Sequence, residues 1–119
     1  MPEGRALINF TTKLFDTKPL QVYLEKLTTA GTFVAAPIAG SIVRMIIRDR
    51  SLKQILLVGL GSIIQADGTV ALVQYNWASG GNDKPGVFLC EWEITYPSGM
   101  IETFPYNGYF GLIVLQDLN

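Results

Sequence analysis

The chain has 119 residues, 49% of them apolar and 16% charged, which is enough for one domain around one core, too short for two, and too apolar for a disordered segment. Nine Lys and Arg against ten Asp and Glu leave a net charge of −1, so no positive surplus is available to hold a nucleic-acid backbone. Histidine is absent, which excludes Ser-His-Asp and Cys-His catalysis and any His-ligated metal.

Residues 1–7 carry neither the basic segment nor the apolar stretch of a secretory signal and are expected to form a tail. After Pro19, Leu20, Val22 and Leu24 alternate with Gln21, Tyr23 and Glu25, which predicts a strand with one wet face. Val43, Met45 and Ile47 alternate with Ile42, Arg44, Ile46 and Arg48 in the next strand, and the polar run from Asp49 to Lys53 is a loop. Ile55 to Val58 and Ser62 to Gln65 follow as short apolar segments broken at Gly59 and Gly61. The longest apolar run, Ile55 to Ile64, is about half the ~20 residues that a spanning helix requires, so no membrane contact is expected.

Asp67-Gly68 between apolar runs is a hairpin signal, leading to a strand that ends in Val73, Tyr75 and Trp77. Ser79 to Gly86 is dense in turn formers and reads as a connecting loop. Phe88, Cys90, Trp92, Ile94 and Tyr96 then alternate with Val87, Leu89, Glu91, Glu93 and Thr95, the longest period-two pattern in the chain and the expected central strand. Pro97-Ser98-Gly99 turns it back into Met100 to Phe104, and a last strand runs from Tyr109 to Leu115, with residues 116–119 as a second tail. About seven strands at this spacing predict one all-β domain over 1–119, an antiparallel β-sandwich or small barrel. Cys90, the single cysteine, has no internal disulfide partner and is expected in the core of a protein made in a reducing compartment.

Several short motifs occur together in the second half: Gly68-x-Val70, Tyr75-x-Trp77, Asp83-x-Pro85-Gly86-x-Phe88, Glu91-Trp92-Glu93-Ile94, Glu102-Thr103-Phe104-Pro105 and Gly108-Tyr109. With Asp16-Thr17-x-Pro19 near the start, they make the chain resemble the immunoglobulin-like domain of tailed-phage baseplate upper proteins, a family known by its N-terminal module. Phe15 stands where that family commonly has glycine, and the run from Ala30 to Ser41 departs from its usual loop. The resemblance implies an immunoglobulin-like β-sandwich and a virion structural role, in a protein made in the bacterial host cytoplasm. The expected role is a capsid decoration or cement, or a tail or baseplate component; the end at Asn119, where family members continue into a segment that holds receptor-binding proteins, weakens the adaptor role and tilts the expectation slightly toward decoration.

Glu91 and Glu93 share one strand face, with Glu102 across the Pro97–Gly99 hairpin, yet such carboxylates on a wet face are usually solvated or ion-paired. No catalytic group, metal or cofactor is therefore expected, and the protein reads as a binder and not an enzyme. The apolar run at 55–64 has more large side chains than one core-facing strand face holds, so part of it is expected to meet a partner. The bases Arg44, Arg48, Arg50 and Lys53 cluster, whereas Glu91 to Asp117 is acidic, which suggests attraction between copies. The expected interface comprises these four bases with Leu56, Val58, Leu60, Ile63, Tyr106 and Tyr109. Its expected partners are other virion proteins (capsid, tail or baseplate subunits) or further copies of the chain. A carbohydrate-binding module that uses exposed aromatics is the alternative.

Overall fold

The computed structural model describes residues 4–6, 10–13, 17–51, 54–77, 81–105 and 108–116. Among them are ten strands and no α-helix: β1 (Gly4–Ala6), β2 (Phe10–Lys13), β3 (Leu20–Leu27), β4 (Phe33–Ala35), β5 (Ile42–Arg48), β6 (Ile55–Ala66), β7 (Ala71–Tyr75), β8 (Gly86–Thr95), β9 (Ile101–Phe104) and β10 (Phe110–Leu115). They form one mixed sheet in the order β1-β3-β7-β6-β5-β8-β10-β2, with β4 added to β3 and β9 to β8. Every pairing is antiparallel except that of β10 with β2, where Leu112 to Leu115 run alongside Phe10 to Lys13 in the same direction.

The sheet curls because alternate residues of every long strand seek the same dry interior. Leu20, Val22 and Leu24 of β3, Ala71, Val73 and Tyr75 of β7, Val43, Met45 and Ile47 of β5, Cys90, Trp92 and Ile94 of β8, and Phe110, Leu112 and Val114 of β10 all join one buried cluster. Burying each large aliphatic side chain contributes about 1.5–3 kcal/mol. Burial also pushes the Cys90 thiol up to about 12, with the neighbouring charge of Glu91 adding to it, so the thiol stays protonated and inert at neutral pH.

The structure departs from the sequence expectation in several places, among them the strand β2 at Phe10–Lys13, which the sequence pattern does not predict. Ten strands replace about seven, and the parallel β10–β2 pairing means that the sheet is not purely antiparallel. Part of the expected N-terminal tail is β1, held in register with β3 from Gly4↔Lys26 to Ala6↔Leu24. Phe33–Ala35, within the run that departs from the baseplate family's usual loop and where the sequence predicts no strand, pairs with β3 as β4. The two short apolar segments around Gly59 and Gly61 are a single twelve-residue strand, β6.

The last difference has a steric cause. A β-carbon added at Gly59 would lie 2.3 Å from Cε1 of Tyr75, and one at Gly61 would lie 3.0 Å from Cζ3 of Trp92. These glycines do not end the strand; they let two buried rings lie against its backbone. The strand can then serve both halves of the sheet: its first half pairs with β5, Arg44↔Leu60 to Arg48↔Ile55, and its second with β7, Gly61↔Tyr75 to Ala66↔Ala71.

The Asp67 hairpin expected from the sequence is present. The Asp67 carboxylate accepts hydrogen bonds from Gln65 Nε2, from the Thr69 hydroxyl, and from the backbone N–H groups of Thr69 and Val70. These donors hold its carboxyl well below the usual carboxylate range.

Candidate protein-binding face

Because side chains alternate along a strand, the even-numbered residues of β5, those of β6 as far as Ile64, and the odd-numbered residues of β8 point away from the core. Strand register arranges them in rows across the outer face. Leu60 lies beside Arg44, Arg44 beside Glu93, and Glu93 beside Thr103. In the next rows, Val58 lies beside Ile46 and Ile46 beside Glu91, while Ile42 lies beside Thr95 and Thr95 beside Ile101.

Apolar groups on this face are open to water: Leu60 is 68% exposed, Ile101 60%, Val58 51%, Ile42 50% and Leu56 48%. Ile46, by contrast, is buried among its neighbours although it points outward. At one end of the strip, Leu56 also lines a cleft of about 370 Å³ between β6 and the loop that leads into β8, together with Leu57, Gly81, Asp83, Lys84 and Phe88.

The charged columns on the same face are paired within the chain. Arg44 Nη1 lies 3.3 Å from Glu93 Oε1, and Arg48 donates to Glu91 Oε1 from Nη2 at 3.1 Å and from Nε at 3.3 Å. The Arg48 guanidinium also stands 6.0 Å from the centre of the Tyr109 ring. The basic and acidic stretches of the sequence are thus cross-strand neighbours in one molecule, an arrangement that register creates.

Six of the ten residues singled out from the sequence come together here: Arg44, Arg48, Leu56, Val58, Leu60 and Tyr109. Arg50 is exposed on the turn after β5. Ile63 does not join them, because its odd position turns it inward, where it is half-buried against the core. Lys53 and Tyr106 lie outside the described residues. The sequence reading missed Ile42 and Ile101, although Ile42 is apolar on the wet face of an alternating strand, which is the available signal.

A scan of family models and a search of curated proteins find no match to this chain. Among solved structures, murine CRIg is similar at a TM-score of 0.40 and 11% identity, over 98% of this chain and 98% of that one. A family 123 glycoside hydrolase from Clostridium perfringens is similar at a TM-score of 0.39 and 12% identity, over 98% of this chain but 28% of the hydrolase.

The third carboxylate considered with Glu91 and Glu93 is elsewhere. Glu102 is in register with the core residue Ile94, and its Oε1 accepts hydrogen bonds from Lys26 Nζ at 2.7 Å and from the Tyr96 hydroxyl at 2.6 Å. This cluster ties β3 to the β8–β9 hairpin, two elements far apart in the strand order. Partial burial favours the neutral form of Glu102, but the hydrogen bonds from Lys26 and Tyr96 and the Lys26 charge outweigh it, so the net shift is downward.

A carboxyl depressed on folding contributes stability above its unfolded value, near 4.5, and that contribution disappears as the pH falls through the folded value. Glu102→Gln is therefore expected to cost about 1 kcal/mol at pH 7 and much less at pH 3. Urea denaturation of both proteins at the two pH values checks this; an equal cost at each pH refutes it.

Proposed function

We propose that the protein is a bacteriophage virion structural subunit, an immunoglobulin-like β-sandwich that binds other virion proteins as a capsid decoration or as a tail or baseplate component. The observation that carries this reading is the strip formed by Ile42, Leu56, Val58, Leu60 and Ile101, apolar groups left exposed on one face of a small chain. A sheet face of this kind is stable in water but gains when another protein covers it.

The sandwich reading draws on strand order. The series β1-β3-β7-β6 followed by β5-β8-β10 corresponds to the A-B-E-D and C-F-G sets of an immunoglobulin-like domain, with β6 shared between them. The motifs from Gly68 to Tyr109 support the phage assignment by their resemblance to the baseplate family. Binding is favoured over catalysis because Glu91 and Glu93 are each held by an arginine, and Glu102 is engaged by Lys26 and Tyr96.

The test is to purify virions of the phage that encodes the chain, separate heads from tails, and probe each fraction with an antibody against the protein. The protein is expected to co-purify in many copies with one fraction, and particles assembled with Leu60→Asp are expected to lose it. A protein abundant in the lysate and absent from both fractions would sink the proposal.

A further inference from the structure

We infer that the outer face of β5, β6 and β8 is an interface with a second copy of this chain, the two sheets packing face to face about a two-fold axis that runs along the strands between β5 and β8. The inference rests on the reading of the protein as an assembly subunit and names one of its partners.

Charge is the first argument. Arg44 and Arg48 form a column on β5, and Glu93 and Glu91 form the neighbouring column on β8, with Arg44 and Glu93 in the same row. A half-turn about the stated axis exchanges the two columns without changing height along the strands. Arg44 then faces the partner's Glu93, and Glu93 faces the partner's Arg44, so the Arg44–Glu93 pairs of the two copies form a two-plus-two quartet. The face is electrostatically complementary to itself, as an isologous interface requires.

The apolar groups obey the same symmetry. Leu60 and Val58 on β6 lie on one side of the axis, and Ile101 and Thr103 on β9 lie on the other. The half-turn therefore sets the β6 strip over the partner's β9, with Leu60 over Thr103 of the partner subunit and diagonal to Ile101 of the partner subunit, one row away.

Area is the third argument. Leu60, Ile101, Val58, Ile42 and Leu56 leave half to two-thirds of their surface open, about 500 Å² in all at about 100 Å² each. A standard interface buries about 800 Å² per partner, of which about 65% is apolar in homodimers. The strip supplies the apolar share that a stable dimer needs, and the ion pairs and Tyr109 lie along it.

Sedimentation equilibrium of the full chain at micromolar to millimolar concentrations is expected to give a dimer of twice the 13.1 kDa mass of one chain. Leu60→Asp, and independently Ile101→Asp on the other side of the axis, are expected to give monomers with the parent's far-ultraviolet circular dichroism and a thermal midpoint that, unlike the parent's, does not change with protein concentration. A variant with Arg44→Glu and Arg48→Glu and one with Glu91→Arg and Glu93→Arg should each be monomeric alone and form a heterodimer when mixed. A parent chain monomeric throughout the range, or a dimer that survives both Leu60→Asp and Ile101→Asp, overturns the inference. A monomer that is still found in virions refutes only this interface; a dimer absent from virions refutes only the virion assignment.

Discussion

Replacing Gly59 by alanine is expected to destabilise the protein by about 3 kcal/mol, a large part of the 5–15 kcal/mol that holds a typical domain folded. The new methyl group would lie 2.3 Å from Cε1 and 2.9 Å from the hydroxyl of Tyr75. Tyr75 has little room to retreat: it is fully buried, and its ring meets that of Trp77 edge-on at 5.2 Å. Either β6 or the ring must shift, and each movement opens gaps elsewhere in a close-packed core.

A double-mutant cycle separates this clash from a general intolerance of side chains in β6. Tyr75→Ala alone should cost about 3–5 kcal/mol by leaving a cavity, but in its presence Gly59→Ala should cost less than 1 kcal/mol, because the new methyl meets empty space. Denaturant titrations of the four proteins measure the coupling. If Gly59→Ala stays within about 0.5 kcal/mol of the parent, Tyr75 does not pack on the backbone of β6 at Gly59.

That glycine also marks the limit of what the sequence made legible. Alternation alone placed Leu20, Val22, Leu24, Val43, Met45, Ile47, Cys90, Trp92 and Ile94 on inward faces, and all are buried. It succeeded because each of these strands keeps one period over six or more residues. β6 keeps its parity as well, from Leu57 through Gly59 and Gly61 to Ile63, but the inward residues at its centre are glycines. The rings that fill the space above them come from β7 and β8, which no local pattern in β6 reveals. Cutting the strand at those glycines concealed its parity, and so Ile63 was grouped with Leu56, Val58 and Leu60, which face the other way. β1, β2 and β4 escaped notice for a simpler reason: three or four residues are too few to show a period.

The candidate face was legible in its parts and not in its assembly. Arg44 and Arg48 are four apart on one strand, and Glu91 and Glu93 two apart on another, so each set visibly shares a face. Their pairing depends on the alignment of β5 with β8, Ile42↔Thr95 to Arg48↔Leu89, which strand patterns leave undetermined. A shift of that register by two residues would preserve every buried position and abolish the Arg44–Glu93 row. The ion pairs are therefore selective for the observed register, even though each partly exposed pair contributes only about 0–1 kcal/mol to stability.

The second large effect is expected at Trp92, where a substitution series tests shape and polarity separately. Its ring is fully buried, stacks on Phe110 at 6.5 Å with a 17° interplanar angle, and brings Cζ3 to the surface of Gly61. Trp92→Ala removes this filling between β6 and β10 and should cost about 4 kcal/mol. Trp92→Phe keeps the stack while losing part of the ring volume. It also removes an indole N–H that is buried without a hydrogen-bond partner among the described residues, a group that costs about 1–3 kcal/mol when left unpaired. The two terms oppose each other, so Trp92→Phe should lie within about 1 kcal/mol of the parent, far from the alanine variant. Guanidinium unfolding followed by far-ultraviolet circular dichroism measures all three proteins without relying on the tryptophan signal. Equal losses for Phe and Ala would mean that the indole N–H is satisfied and that its hydrogen bond, not the ring, holds β8 in place.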